Sequence, residues 1–183
     1  MDALENILNR VSARSLKEPH PSKKEMDIVY KAALRAPDHA WLRTSSFIEV
    51  KGESLKKLSN IFVKYGKSVP DISDEVLEKY KNAPYRAPMI IILVNTFKEH
   101  PQVPAIEQKL STATAAQNIM LALNAMKYSC IWRTGKMAFN ELIQNELGLA
   151  KDQEILGYLY IGTESGEKKK IPNLDLDDFV SYL

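Results

Sequence analysis

One cysteine, three histidines and seven glycines in 183 residues narrow the chemistry before any motif is sought. The lone Cys130 excludes an internal disulfide and fits a reducing compartment. His20, His39 and His100 lack the spacing of a zinc site, so no metal is expected. Glycine is too sparse to supply a Gly-x-Gly-x-x-Gly fingerprint, a Walker loop or a Gly-x-Ser-x-Gly elbow. Hydrolysis by Ser, His and Asp stays open on composition, but nothing places those residues together. The longest apolar run, Met89 to Val94, is far short of a membrane span. The start, Met1-Asp2, lacks the basic-then-apolar pattern of a secretion signal. A cytoplasmic protein with no membrane partner is expected. A formal net charge of +2 gives no basic face for nucleic acid.

What is present is globular. Hydrophobic content of 45% against 26% charged residues supports one sizeable core, and we expect a single domain over 1–183. Ala3 to Arg10 has Leu4, Ile7 and Leu8 at helical spacing. Ser22 and Glu25 form a capping box before Met26, Val29, Tyr30 and Ala33, and that helix ends before Pro37. Phe47 to Lys51 reads as a strand. Glu53 to Tyr65 reads as a helix stopped by Gly66, and Ser73 opens another to Asn82. Met89 to Val94 is the pattern of a strand buried on both faces. Pro104 to Lys127 is the longest helix, apolar or small almost all round in its second half, as a central or interface helix is. Ser129 to Trp132 and Ile155 to Ile161 are strands; between them Asn140 caps a short helix closed by Gly148. Gly157 and Gly162 leave room for backbone or ligand, although Gly157, Gly162 and Gly166 also read as turn residues.

Two stretches carry binding chemistry. In Arg10-Val11-Ser12-Ala13-Arg14 the two guanidiniums and the hydroxyl can meet one anion if the chain leaves its helix near Ser12. The same residues also fit a solvated helix end. Trp132-Arg133-Thr134-Gly135 follows a strand, where ligands commonly sit. Its indole could lie beside a planar ring, Arg133 could meet phosphate, and backbone N–H groups at Gly135 could meet heteroatoms. A core tryptophan before a polar turn fits equally. His39 sits in the turn Arg35-Ala36-Pro37-Asp38-His39, as a ligand contact or a surface residue.

Taken in order, these stretches resemble the flavin-dependent nitroreductase family, and most closely its short YdjA-like branch. Arg10-x-Ser12, Arg35-Ala36-Pro37-Asp38-His39, Asn82-Ala83-Pro84-Tyr85-Arg86-Ala87-Pro88 and Ile131-Trp132-Arg133-Thr134-Gly135 carry the likeness across the whole chain. The resemblance implies an α+β fold, a mainly antiparallel sheet flanked by helices, in an intertwined homodimer with FMN shared between chains. It implies that Arg10, Val11 and Ser12 hold the phosphate and ribityl end, with Arg14 as a further contact. Arg35 and His39 would reach FMN from the partner, and Trp132, Arg133, Thr134 and Gly135 would complete the site. NADH or NADPH would deliver hydride to the flavin N5, and a nitroaromatic, quinone or similar small molecule would accept the electrons. The flavin would carry the chemistry, with no catalytic side chain. The long helix would supply interface, and the tail would extend over the partner. A flavin-binding or partner-binding protein of the same fold without turnover is the alternative. The chain departs from the family in having Val11 for a second arginine. It also has Leu42-Arg43-Thr44-Ser45 where many members carry Leu-Gln-Pro-Trp on the substrate side.

Overall fold

The apolar run becomes β3, Met89–Thr96, an inner strand of a five-stranded sheet. The computed structural model describes residues 2–183. Its sheet runs β1 (Leu16–Lys17), β5 (Gln153–Glu164), β3 and β2 (Ser45–Lys51), with β4 (Ser129–Arg133) also paired to β5. All of these pairs are antiparallel. Neighbouring side chains on a strand face opposite sides. Met89, Ile91 and Leu93 therefore join a core with α2 (Lys23–Ala33) and α5 (Ala105–Ala125). Ile90, Ile92 and Val94 join a second core with α3 (Glu53–Lys67) and α6 (Glu141–Glu146). Burial on both faces is why β3 shows no polar alternation. The capping boxes at Asp2, opening α1 (Ala3–Asn9), and at Ser22 are both formed, and Asn140 caps α6.

A buried polar network fixes the N-terminal half of α5. Gln108 donates through Nε2 to the Lys98 carbonyl at 2.8 Å and the Val103 carbonyl at 3.2 Å, while its Oε1 accepts the Lys98 N–H at 2.9 Å. Thr112 donates to Asn95 Oδ1 at 3.1 Å and meets the Ser45 hydroxyl at 2.9 Å. Helix α5 is thereby tied to β3 and to the start of β2. Each buried group left without a partner costs about 1–3 kcal/mol. Gln108→Ala should lower unfolding free energy by about 2–3 kcal/mol, read as a lower denaturation midpoint at unchanged slope. An unshifted midpoint would show that water takes over these bonds.

Several expectations change on contact with tertiary structure. Gly66 does not stop α3, which runs on to Lys67. A Cβ at Gly66 would lie 2.6 Å from Leu77 Cδ1 in α4 (Asp74–Asn82), so this glycine lets two helices approach. Gly157 and Gly162 are strand residues of β5, not turn residues. The short strand β1 was not anticipated, and β2 and β5 each extend beyond the expected limits. Helix α1 buries none of its residues, and the stripe Leu4, Ile7, Leu8 is exposed on this chain. In α5, Ala115, Ala116, Ile119 and Leu123 are buried, whereas Ile106 and Leu110 stand exposed near its start. Residues 165–183 make little contact with the rest of the chain, and Leu176, Phe179 and Tyr182 are exposed.

Candidate functional site

Helix α1 ends one residue before Arg10, which is already extended at φ −70° and ψ 126°. The chain therefore leaves its helix at Arg10, where the expected helix Ala3 to Arg10 ends and ahead of the Ser12 exit that a shared anion site required. Ser12 then forms a parallel bridge with Cys130 on β4, and the Ala13 N–H donates to the Cys130 carbonyl at 3.1 Å. This non-local contact lays residues 10–13 along the open edge of β4. Arg10 and Arg14 do not share a helical face. Arg10 turns in and Arg14 stays exposed.

The Arg10 guanidinium lies close enough to Cys130 for their charges to interact. Burial pushes the Cys130 thiol up to about 12, partly opposed by Arg10. That thiol is 2% exposed and stays protonated at neutral pH, so it offers no nucleophile. Among the described residues Arg10 Nη1 is buried without a hydrogen-bond partner, and so are Arg133 Nε at the far end of β4 and Glu164 Oε2 at the end of β5. A buried N–H without a partner is costly, and more so on a charged group. Arg10 Nη1, on the segment laid beside β4, fits an anionic ligand.

Arg133 lies over the Tyr160 ring, with its guanidinium carbon 5.5 Å from the centroid. Burial raises the Tyr160 pKa, opposed first by Arg133 and then by Arg86. In the sequence Arg86 stands out only within the stretch Asn82 to Pro88 that carries the family likeness. Its place directly before the buried strand was the available signal that it reaches the sheet. Trp132 packs inside its own chain, the second of the two arrangements its sequence allows. Its Nε1–H donates to the Leu156 carbonyl at 3.3 Å, and its ring covers Gly157. A Cβ at Gly157 would lie 2.2 Å from that nitrogen, and the residue has φ +147°. The indole is thus engaged inside the chain and can meet a ligand mainly through backbone. Thr134 and Gly135 are exposed where β4 ends, with Gly135 at φ +103°.

His39 sits elsewhere, and Arg35 borders both α1 and the Pro37-Asp38 turn. His39 Nδ1 is 2.6 Å from Glu107 Oε2 in the first turn of α5, and its chain leads into β2. Arg35 is exposed at the end of α2 and borders a depression with Asn6, Asn118 and Leu121. Asn6 donates to the Leu121 carbonyl at 3.0 Å, and Asn124 donates to Asn6 Oδ1 at 2.8 Å, which fixes α1 at the opposite end of α5. Between Glu107 and Asn124, α5 rises about 25 Å. β2 and β4 also lie on opposite sides of the β5–β3 pair. One chain lays Arg10 to Ala13 along β4, the strand that carries Arg133 and leads into Thr134. It does not bring His39 to them.

Among the described residues no cluster of three or more His, Cys, Asp or Glu side chains could hold a metal ion. No described helix is long and apolar enough to cross a membrane.

Comparison with known proteins bears on the family and the fold. A model of the nitroreductase family matches residues 7–163. Escherichia coli YdjA, provisionally named an NAD(P)H nitroreductase, is 33% identical over 183 residues, covering 100% of both chains. A nitroreductase-like family protein from Bacillus cereus superposes with a TM-score of 0.86 at 20% identity, covering 100% of this chain and 96% of that one. NfnB from Sphigopyxis sp. strain HMH, described as an FMN and NADPH-dependent nitroreductase, gives a TM-score of 0.78 at 16% identity, covering 100% and 99%. The family model over residues 7–163 and the full-length match to YdjA show that the chain belongs to the nitroreductase family.

Proposed function

We propose that the protein is a homodimeric, FMN-dependent NAD(P)H oxidoreductase that reduces a nitroaromatic, quinone or similar small acceptor. The observation that carries this reading is Arg10 Nη1, a buried guanidinium nitrogen without a hydrogen-bond partner among the described residues, on the segment laid beside β4. A phosphate supplies the acceptor it needs, in a charge-assisted bond stronger than a neutral one. The names of YdjA and NfnB add the nicotinamide donor and the flavin.

Arg10 would hold the phosphate, with the Ser12 hydroxyl and the Val11 backbone at the ribityl end, and Arg133 would meet the cofactor from the far end of β4. Backbone N–H groups of Trp132, Thr134 and Gly135 would face the polar edge of the ring system. Arg14 stays free to add charge at the mouth of the site. Arg35 and His39 would come from the partner, because His39 is held at the other end of α5 in its own chain. The exposed apolar residues of α1, α5 and the tail give such a dimer its surface. FMN, when bound, supplies the two-electron carrier between nicotinamide and acceptor. No side chain is assigned as acid or base. The overall reaction balances with one proton from solvent: NAD(P)H and H⁺ convert a nitro group to nitroso plus water, or a quinone to hydroquinone.

The protein should purify yellow and release FMN on heating. Under anaerobic conditions NADH or NADPH should bleach it, and menadione should restore the colour. A protein that takes up no FMN overturns the cofactor assignment. A yellow protein that neither nucleotide bleaches overturns the oxidoreductase reading and leaves a flavin-binding protein.

A further inference from the structure

The segment from Pro37 to Arg43 is held in a conformation its residues do not favour. Ala40, Trp41 and Arg43 have φ of 53°, 53° and 54°. All three carry a Cβ, which crowds the backbone in the left-handed region. The surroundings enforce the shape. Asp38 Oδ2 accepts the Arg43 N–H at 2.9 Å and lies 3.5 Å from its guanidinium. The Trp41 N–H donates to the Asp38 carbonyl at 3.1 Å, and Lys98 Nζ donates to the Leu42 carbonyl at 2.6 Å. Thr44, next along the chain, is buried.

This bracing leaves Trp41 78% exposed, with the Arg43 guanidinium carbon 5.5 Å from its ring centroid. An indole packed inward would shed most of that water contact. Here the backbone holds it out. Beside it lies a depression of about 340 Å³ bordered by Leu34, Arg35, Pro37, Asp38, Trp41 and Arg43. That volume is at the lower end for small-ligand sites and suits one substituted aromatic ring. Its charge is lopsided. The Asp38 carboxylate is engaged by Arg43, and the neighbouring Glu107 by His39. Arg35 has no carboxylate within 4.0 Å among the described residues, so the depression keeps one cation in excess.

We infer that this depression is the acceptor platform, and that it selects planar aromatic acceptors bearing a carboxylate. The ring stacks on Trp41, and the carboxylate meets the Arg43 and Arg35 guanidiniums. Arg35 borders the depression and is one of the residues proposed to reach the cofactor, so an acceptor here lies beside the redox centre. The inference rests on the proposed oxidoreductase function for turnover but not for binding.

The test compares 4-nitrobenzoate with nitrobenzene on the FMN-loaded enzyme with NADPH. One exposed ion pair contributes up to about 1 kcal/mol, or about fivefold. The kcat/KM ratio should favour 4-nitrobenzoate by about fivefold and fall towards one in Arg43→Gln and at high salt. Trp41→Ala should raise KM for both rings. A ratio near one in the unaltered enzyme, or one that Arg43→Gln leaves unchanged, overturns the inference. If no acceptor is reduced, the oxidoreductase reading fails, and the platform is judged by fluorescence. With only two tryptophans in the chain, 4-nitrobenzoate should quench emission that Trp41→Phe removes. Quenching equal in the unaltered protein and Trp41→Phe overturns the platform as well.

Discussion

Arg10→Ala is expected to weaken FMN binding by about ten- to a hundredfold while the apo protein keeps its fold. A hydrogen bond to a charged group contributes about 1.5–3 kcal/mol, and each 1.4 kcal/mol is a factor of ten in affinity. Arg10 should fall in this range because its Nη1 is already removed from water without a partner inside the chain. No bond to another residue is lost on truncation, and an unsatisfied buried donor disappears. Fold stability of the apo protein should therefore hold or rise slightly. Arg14→Ala is the comparison. Its side chain is exposed and screened, so its loss should cost affinity several-fold at most. Titration of apo-protein with FMN and a melting curve without FMN measure both effects. Unchanged affinity in Arg10→Ala would make the buried guanidinium a structural feature of the β4 edge and would remove the phosphate assignment.

Local physics was legible where one segment decides its own structure. Ser22 and Glu25 announced a capping box because both partners lie within one helical turn. The run Met89 to Val94 announced a strand covered on both faces because no polar residue interrupts it. Contacts between distant segments were not legible. Gly66 reads as a helix stop in sequence, yet its missing Cβ makes room for Leu77 and Tyr80 of another helix. Gly157 is required by the Trp132 ring, which only the β4–β5 pairing brings to it. Gln108 looked like one polar residue on a long helix, and its three bonds depend on where residues 98 and 103 fold back.

The candidate site shows the same division. Residue types in Arg10-x-Ser12 and Trp132-Arg133-Thr134 pointed to an anion and a planar ligand. That Ser12 lies beside Cys130, bringing the two stretches into one place, is a tertiary fact. So is the loss of Trp132 as a free stacking surface. The exposed indole that does remain, Trp41, carried no signal in sequence, because a left-handed backbone at a residue with a Cβ is set by its neighbours and not by its own preference.

The separation of His39 from β4 within one chain gives the strongest expectation. If each FMN site draws Arg10 from one chain and His39 from the other, then Arg10→Ala and His39→Ala damage different halves of the same site. Alone, each homodimer has two damaged sites. Together, a mixed dimer has one site with both substitutions and one site with neither. Co-expression of the two variants with different tags, followed by purification through both tags, isolates that mixed dimer. It should regain the unaltered protein's FMN affinity at about one FMN per two chains, a recovery of ten- to a hundredfold over the Arg10→Ala homodimer. Acceptor reduction should return to about half that of the unaltered protein per chain. A site built within one chain predicts the opposite, since every chain in the mixture carries a lesion. Recovery cannot come from His39 folding across its own chain. Its ring is held at Glu107, about 25 Å of helix from Asn124 beside α1. Mixed dimers that bind no better than the two homodimers would therefore overturn the shared site, and a monomer with full FMN content in sedimentation would overturn the dimer itself.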